Sequence, residues 1–286
     1  MADIRIATRA SRLALVQATR VGDLLRSAHP GISVELVEIT TTGDRDQTSP
    51  IAGLIEVGAF VRSVQEAVLD GRADFAVHSL KDLPLNGPDG LALVAVPERG
   101  SPLDVMVGAS LAQLPRGAVV GTGSPRRVEQ IQEMRPDLRV VELRGNVDTR
   151  LRKVAEGEMA AAVMAEAALD RLGRGDAIAQ RFDVTEMVPA PGQGALAVEG
   201  RPGSDSHDLA TAIDDGALRT LLAAERMLLE DAGAGCRSAL GALGSWEGER
   251  IRLDSFVADE RGRRRAVSIG DTAEEVATWA RKELGL

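Results

Sequence analysis

The chain has 286 residues, 44% hydrophobic and 27% charged, which is typical of a globular protein with more than one domain. A net charge of -9 and only 2% aromatic residues argue against a nucleic-acid partner, because such partners need basic and stacking surfaces. Cys236 is the sole cysteine, so no disulfide can form within the chain, which fits a reducing compartment. No secretory signal or membrane-spanning run is evident, so we expect a cytoplasmic protein without a membrane partner.

The first hundred residues alternate between short β-branched runs and helical patterns. This alternation predicts an α/β fold with a mostly parallel sheet and helices on its faces. The predicted strands are Ile4–Thr8, Val34–Thr40, Asp74–His78 and Leu91–Val96, and the predicted helices cover Ser11–Ala28 and Phe60–Val68.

The same alternation begins again after an interruption at Pro97–Pro102, which predicts a second α/β unit of similar size. Two such units joined by short Pro/Gly segments predict two lobes with a ligand cleft between them. Strands are predicted at Ala118–Gly121, Leu138–Leu143 and Ala160–Met164, and helices at Arg126–Met134 and Asn146–Glu156.

A second interruption, Pro189–Gly194 (PAPGQG), precedes the last part of the chain. This part ends in two strands and a helix, so it predicts a smaller α/β tail. In order, we predict a strand at Ala195–Glu199, a polar loop at Gly200–Asp205, one helical stretch at Leu209–Asp231, strands at Arg250–Val257 and Arg265–Ile269, and a helix at Thr272–Leu284.

Basic and hydroxyl residues follow several predicted strands, where ligands commonly bind in parallel sheets. Guanidinium groups match carboxylates through paired hydrogen bonds, and helix N-termini add backbone donors. A ligand with several carboxylates fits this set better than a phosphate, for which GTGS alone is weak evidence. The residues are Arg9, Ser11, Lys81, Asp82, Ser124, Arg126, Arg127, Arg144 and Arg150.

Each of these residues also has an ordinary interpretation. A single arginine after a strand is usually a solvated surface group, and Lys81–Asp82 could be a surface ion pair of little energetic value. Cys236, in GAGCRS, could be a small buried hydrophobe or, beside Arg237, a reactive thiolate. The three histidines are scattered and no metal-binding spacing is present, so we expect no metal.

Seven segments together resemble the hydroxymethylbilane synthase (porphobilinogen deaminase) family. They run in order from the first strand to the last third of the chain, and AVHSLKDLP and LRGNVDTRL are the most specific. The segments are RIATRASRLAL, TTGD, RADFAVHSLKDLP, VGTGSPRR, LRGNVDTRL, PAPGQGALAVE and GAGC.

The resemblance implies two lobes like those of periplasmic binding proteins and a smaller third α/β domain. The first domain would comprise residues 1–97 with a returning segment, 195–212. The second would comprise residues 100–189. The third, 216–286, would carry Cys236.

The resemblance also implies the activity. Such an enzyme is a transferase of porphyrin and haem biosynthesis that condenses four porphobilinogen molecules, with loss of ammonia, into the linear tetrapyrrole hydroxymethylbilane. Its cofactor is a dipyrromethane held by a thioether, here to Cys236. Its partners are porphobilinogen and linear pyrrole intermediates, and we expect a monomer.

The family's site residues fall on matching positions of this sequence. Asp82 corresponds to the catalytic aspartate, which would stabilise positive charge on a pyrrole nitrogen. Cofactor binding is implied for Cys236, Lys81, Arg9, Ser11, Thr122, Ser124, Arg126, Arg127, Arg144, Asn146 and Arg150, and substrate binding for Arg9, Arg144, Arg150, Arg171 and Gln193.

Two other classes of function remain open on the residues alone. A two-lobed module that binds small anions without catalysis would need the arginines but not Cys236. A phosphate-handling transferase would need carboxylates to hold magnesium, and no such motif is present.

Overall fold

The computed structural model describes residues 3–39, 56–231 and 239–286, with the backbone alone for 56–60 and 231. The chain forms two compact units. Unit 1 comprises Met1–Gly100 and Ala195–Arg219, and unit 2 comprises Ser101–Gly194 and Thr220–Leu286.

The described helices and strands alternate through most of the chain. In order they are β1 (Asp3–Arg9), α1 (Arg12–Ala28), β2 (Ser33–Ile39), α2 (Glu56–Leu69), β3 (Phe75–Ser79), β4 (Ala92–Ala95), β5 (Asp104–Val107), β6 (Val119–Gly121), α3 (Pro125–Met134), β7 (Arg139–Val141), α4 (Val147–Ala155), β8 (Ala161–Ala165), α5 (Glu166–Arg171), β9 (Ile178–Arg181), β10 (Leu196–Gly200), α6 (Asp205–Thr211), α7 (Gly216–Asp231), β11 (Ala239–Glu247), β12 (Arg250–Asp259), β13 (Gly262–Gly270) and α8 (Ala273–Leu284).

Unit 1 contains a five-stranded sheet in the order β2-β1-β3-β10-β4. Side chains alternate across it, so Ile6 packs with Leu25 of α1 on one face. The neighbouring Ala7 packs with Val64 of α2 on the other face. This double coverage explains why the strands are apolar on both faces.

Unit 2 contains a second five-stranded sheet in the order β7-β6-β8-β5-β9. β6, β7 and β8 run parallel, whereas β5 is antiparallel to β8 and β9. β10 is likewise antiparallel to both of its neighbours in unit 1. Four of the five strands in each of these sheets therefore run in the same direction, so the prediction of a mostly parallel sheet is confirmed, with β5 and β10 as the exceptions. β5 and β10 each follow a segment by which the chain crosses between units, so local strand–helix–strand connections do not set their direction.

A third, three-stranded antiparallel sheet in the order β11-β12-β13 lies in unit 2. Leu253 and Ile251 of this sheet pack against Leu228 of α7 and Val276 of α8. With two sheet-and-helix lobes and this smaller region, the predicted α/β class is confirmed.

β11 was not predicted, because glycines interrupt its strand pattern. A Cβ atom at Gly241 would lie 2.7 Å from the carbonyl oxygen of Val188, and one at Gly244 would lie 2.9 Å from that of Leu221. The strand therefore needs glycine at both positions for close backbone packing. The short strands β5 and β9 were also missed, because their few residues lack clear periodicity.

The predicted single helical stretch over Leu209–Asp231 is wrong, because α6 and α7 are separate helices. Asp214 accepts a hydrogen bond from the Val96 amide at 2.7 Å, and Asp215 accepts one from Leu218 at the start of α7. The Asp-Asp-Gly sequence thus begins a new helix. α6 also begins at Asp205, where a loop was predicted.

Candidate active site

In unit 1, two predicted site segments lie at one edge of the sheet. β1 and β3 are parallel neighbours, so Arg9 at the end of β1 and the residues after β3 share that edge. Ser11 caps α1, and its hydroxyl accepts a hydrogen bond from the Ala14 amide at 3.4 Å. Gln17 of α1 donates a hydrogen bond to the Ser79 hydroxyl at 2.9 Å, which ties α1 to the end of β3.

Lys81 and Asp82 lie in a short 3-10 turn, Leu80–Asp82, directly after β3. Leu80 is buried and its amide donates to the carbonyl of Ala195, which fixes the turn. Asp82 is exposed and Lys81 is half-buried. The carboxylate of Asp82 is therefore accessible to a ligand.

A buried polar cluster includes His78 of β3, two residues before this turn. The His78 Nε2 atom lies 3.1 Å from a carboxylate oxygen of Glu199, and the Gln65 side-chain amide donates to both oxygens of Glu199. All three side chains are less than 8% exposed. The cluster joins α2, β3 and β10, and sequence analysis did not assign it a role.

In unit 2, the N-termini of α3 and α4 lie at one sheet edge, because each follows one of the parallel neighbours β6 and β7. Ser124 caps α3 and Asn146 caps α4, each accepting a backbone amide hydrogen bond. The Thr122 hydroxyl accepts from the Ser124 amide at 3.2 Å. Two helix N-termini therefore present their positive ends at an edge where carboxylates can bind.

Three further predicted residues are half-buried: Arg144 precedes α4, Arg150 lies within α4, and Arg171 is the last residue of α5. Arg144 donates to Glu142 at 3.1 Å. Arg150 donates to the carbonyl of Gly145 at 2.8 Å, and Arg171 donates to the carbonyl of Gly194 at 2.6 Å. Each guanidinium is thus oriented by the protein.

Arg126 and Arg127 have a different environment, because both point into the interior of unit 2. Arg126 donates to one oxygen of Asp104 at 2.7 Å, and the Nε of Arg127 donates to the other at 2.9 Å. Their exposed fractions are 3% and 6%, and that of Asp104 is 0%. The two cations therefore share a single buried carboxylate.

Gln193 completes this network and is fully buried. Its side-chain amide donates to the carbonyl of Pro102 at 2.7 Å and to Asp104 at 2.9 Å. Its carbonyl oxygen accepts from Arg127 at 3.3 Å. Gln193 thus links the two segments, around Pro102 and Gly194, by which the chain enters and leaves this part of unit 2.

The charges in the network determine the protonation of Asp104. Burial alone raises the pKa of Asp104, but Arg126 and Arg127 outweigh burial and hold that pKa well below its usual range. Burial also lowers the pKa of Arg126, although a guanidinium keeps its proton in proteins. Two positive charges against one negative charge leave the network with a net charge of about +1.

Cys236 and the TTGD segment, Thr41–Asp44, lie outside the described residues. Among the residues that are described, no group of three or more His, Cys, Asp or Glu side chains could hold a metal ion. In the same part of the chain, no helix is both long and apolar enough to cross a membrane.

Comparison with known proteins identifies the family. A sequence model of the "Porphobilinogen deaminase, dipyromethane cofactor binding domain" matches residues 4–209. A porphobilinogen deaminase of Roseiflexus castenholzii is 44% identical over 264 residues, which cover 91% of this chain and 87% of that protein. One of Thermobifida fusca is 46% identical over 266 residues, covering 90% and 82%. The chain belongs to the porphobilinogen deaminase family.

The resemblance predicted from the sequence motifs is thereby confirmed. Two of the solved structures similar to this porphobilinogen deaminase family member share little sequence with it. One is a substrate binding domain of a putative molybdenum ABC transporter from Clostridium difficile, with 10% identity, a TM-score of 0.43, and coverage of 74% of this chain and 90% of that one. Another is a Salmonella typhimurium periplasmic binding protein, with 11% identity, a TM-score of 0.42 and coverage of 74% and 92%.

The residues of unit 2 fit the dipyrromethane cofactor of the porphobilinogen deaminase family, which carries several carboxylates. The buried network has an excess positive charge. The Nε–H of Arg126 is buried and makes no hydrogen bond within the described residues. A buried donor without an acceptor is unfavourable, so an added anionic group would stabilise this region.

Sequence analysis missed Asp104, although an isolated acid within the apolar run LDVMV could have revealed it. A charge in such a run must be paired when the strand is buried. Glu225, buried in α7, was also missed. Its partners, Gly192 and Gly244, are distant in sequence and donate through their backbone amides, which no motif reveals.

Proposed function

We propose that this protein is a hydroxymethylbilane synthase, a transferase of tetrapyrrole biosynthesis that condenses four porphobilinogen molecules and releases ammonia. The observation that carries this proposal is the family match over residues 4–209, with 44% identity to a porphobilinogen deaminase over 91% of the chain. A small-anion binding module without catalysis is not favoured, because the matched family is enzymatic.

Cys236 holds the dipyrromethane through a thioether in this proposal, since it is the sole cysteine and lies in the matching GAGC segment. Bound there, the cofactor supplies an anchored pyrrole end to which substrate units are added. Arg126, Arg127, Ser124, Thr122 and Asn146 hold its acidic groups, supported by the helix N-termini of α3 and α4.

Substrate carboxylates bind to basic residues near the sheet edges of each unit. The half-buried guanidiniums are oriented by carbonyl or carboxylate partners, which lowers the entropy lost when a carboxylate binds. The proposed substrate-binding residues are Arg9, Arg144, Arg150, Arg171 and Gln193. Gln193 is fully buried, so it acts through its contacts with Asp104 and Arg127. Lys81 contributes to binding of the cofactor.

Asp82 stabilises positive charge as ammonia leaves porphobilinogen. Its exposed carboxylate can accept a hydrogen bond from the pyrrole N–H, and this interaction strengthens as the ring becomes cationic. The same carboxylate can accept a proton after the new carbon–carbon bond forms.

We also propose that the protein has the domain organisation of its family. We assign residues 1–97 with 195–212 to domain 1, 100–189 to domain 2 and 216–286 to domain 3. The enzyme works as a cytoplasmic monomer without nucleic-acid or membrane partners. The placement of β10 within the sheet of unit 1 supports a returning segment after the second domain.

The intact mass of the purified chain tests the proposal. Protein from cells that make porphobilinogen is expected to exceed its sequence mass by one dipyrromethane and to give a coloured Ehrlich reaction. The Cys236→Ala variant, as the control, is expected to have its plain sequence mass. An unmodified wild-type mass would contradict the assignment.

A further inference from the structure

Glu225 is a buried carboxylate that joins two distant parts of unit 2. It lies within α7, and its exposed fraction is 0%. One oxygen accepts a hydrogen bond from the Gly192 amide at 2.6 Å, and the other accepts one from the Gly244 amide at 2.9 Å. Bonds from backbone amides to a carboxylate are short and strong, so this side chain fixes both segments relative to α7.

The first of these segments also belongs to the arginine network. Gly192 is directly followed by Gln193, which bonds to Asp104 and accepts from Arg127. A continuous path of hydrogen bonds and one peptide unit thus runs from Glu225 to the arginine pair on α3. Displacement of Gly192 would therefore disturb Gln193 and the guanidinium that it contacts.

The second segment is β11, which lies against the same loop. The Ala242 amide donates to the carbonyl of Pro189 at 2.9 Å. Gly241 packs so closely on Val188 that even one Cβ atom would collide with the carbonyl oxygen there. α7, β11 and the loop 188–193 therefore form one packed unit, with Glu225 at their junction.

We propose that Glu225 is a positioning residue for the reaction: it holds α7 and β11 against the loop that carries Gln193. In this way it sets the placement of Gln193 and of the Arg127 guanidinium that Gln193 contacts. The inference rests on the proposed function, because it takes Arg127 to hold the cofactor.

A carboxylate is required for this role. In Glu225→Gln the amide oxygen can accept only one of the two backbone hydrogen bonds, and its NH₂ group is placed against the other N–H. The packing volume is nearly unchanged. The substitution therefore tests the polar contacts of the carboxylate rather than the size of the side chain.

The test compares Glu225→Gln with Glu230→Gln, a matched change at an exposed position of α7. The intact mass is recorded first, and kcat and KM for porphobilinogen are measured on adduct-bearing protein. We expect Glu225→Gln to lower kcat by about 10- to 100-fold, because small misplacements of reacting groups have effects of this size. KM should change less than about threefold, because the substrate-binding arginines remain. Glu230→Gln should match wild type.

Equal kcat for adduct-bearing Glu225→Gln and Glu230→Gln would overturn the proposal. Failure of Glu225→Gln to fold, together with normal kcat in folded Glu225→Asp, would also overturn it, since Glu225 would then serve stability alone. If neither Glu225→Gln nor Glu225→Asp folds, the proposal is overturned for the same reason. Failure of the proposed function is distinguishable, because wild type and Glu230→Gln would themselves lack the adduct or turnover.

Discussion

The two units present their charged site residues in opposite ways. In unit 1, Asp82 is exposed at the end of β3 and lies next to Lys81 in sequence. In unit 2, Arg126 and Arg127 are buried on Asp104, which lies 22 and 23 residues away in the chain. The exposed carboxylate is available to a ligand, whereas the two buried arginines mainly stabilise the folded structure of unit 2.

This difference distinguishes Asp82, which we assign to the chemical step, from the buried network, which we assign to structure and positioning. A buried charge is expensive to leave unpaired, so the network in unit 2 constrains the segments that contribute to it. An exposed acid at a strand end has little structural role and is free to interact with a substrate. Substitution of Asp82 should therefore affect turnover, whereas substitution within the Asp104 network should affect stability and cofactor placement together.

Loss of the thiol should have the largest effect. Cys236→Ala leaves Asp82 and the Asp104 network unchanged but removes the proposed attachment site of the cofactor. We therefore expect no measurable turnover and no adduct by intact mass. Folding should persist, because the change removes a single sulfur atom. Circular dichroism checks the fold, and full turnover in this variant would eliminate Cys236 as the tether.

Neutralising Asp104 should mainly affect stability. Asp104→Asn leaves two buried guanidiniums without a counter-charge, and breaking a buried ion pair in this way costs about 3–5 kcal/mol. Urea unfolding measures the loss, with the exposed Asp170→Asn as a control in the same unit. If both variants unfold at the same urea concentration, the network has no framework role.

Neutralising Asp82 should mainly affect turnover. Asp82→Asn keeps the size of the side chain but removes the charge that stabilises the cationic pyrrole, and loss of one such group costs about 10²–10³ in kcat. Asp82→Glu should lose less, and the exposed Asp89→Asn should be normal. Near-normal kcat in adduct-bearing Asp82→Asn would remove this residue from the mechanism.

The smallest expected effect is on the pH dependence of stability. The folded-state pKa of Asp104 is depressed by Arg126 and Arg127, so its stabilisation is present above the unfolded-state pKa of about 3.9 and is lost as pH falls below that value. The urea concentration at the unfolding midpoint of wild type should therefore decrease as the pH is lowered from about 5 to about 3. That of Asp104→Asn should fall less over the same interval, and parallel declines would contradict this assignment.

The sequence revealed those site features that depend on neighbouring residues. Ser124 and Asn146 follow predicted strands, Ser124 before a predicted helix and Asn146 as the first residue of one, and both are found as helix caps at one sheet edge. Lys81 and Asp82 were likewise expected at the end of β3. These positions depend on local strand–turn–helix patterns, which are visible in a single sequence.

Features that depend on distant contacts could not be predicted. Asp104 acquires its role from residues on α3, and Glu225 from backbone amides of two other segments. β11 was hidden because tight packing requires glycine where strands usually show branched residues. The buried state of Gln193 was missed for the same reason, since its partners lie far away along the chain.

The most direct test is a mass ladder on the protein itself. Wild-type protein given limiting porphobilinogen should show the adduct-bearing mass and further masses, each higher by one pyrrole unit, up to four additions. Further porphobilinogen should complete these chains and release hydroxymethylbilane, so that the adduct-bearing starting mass reappears among the extended masses. A chain that binds porphobilinogen but shows no covalent additions would contradict the account.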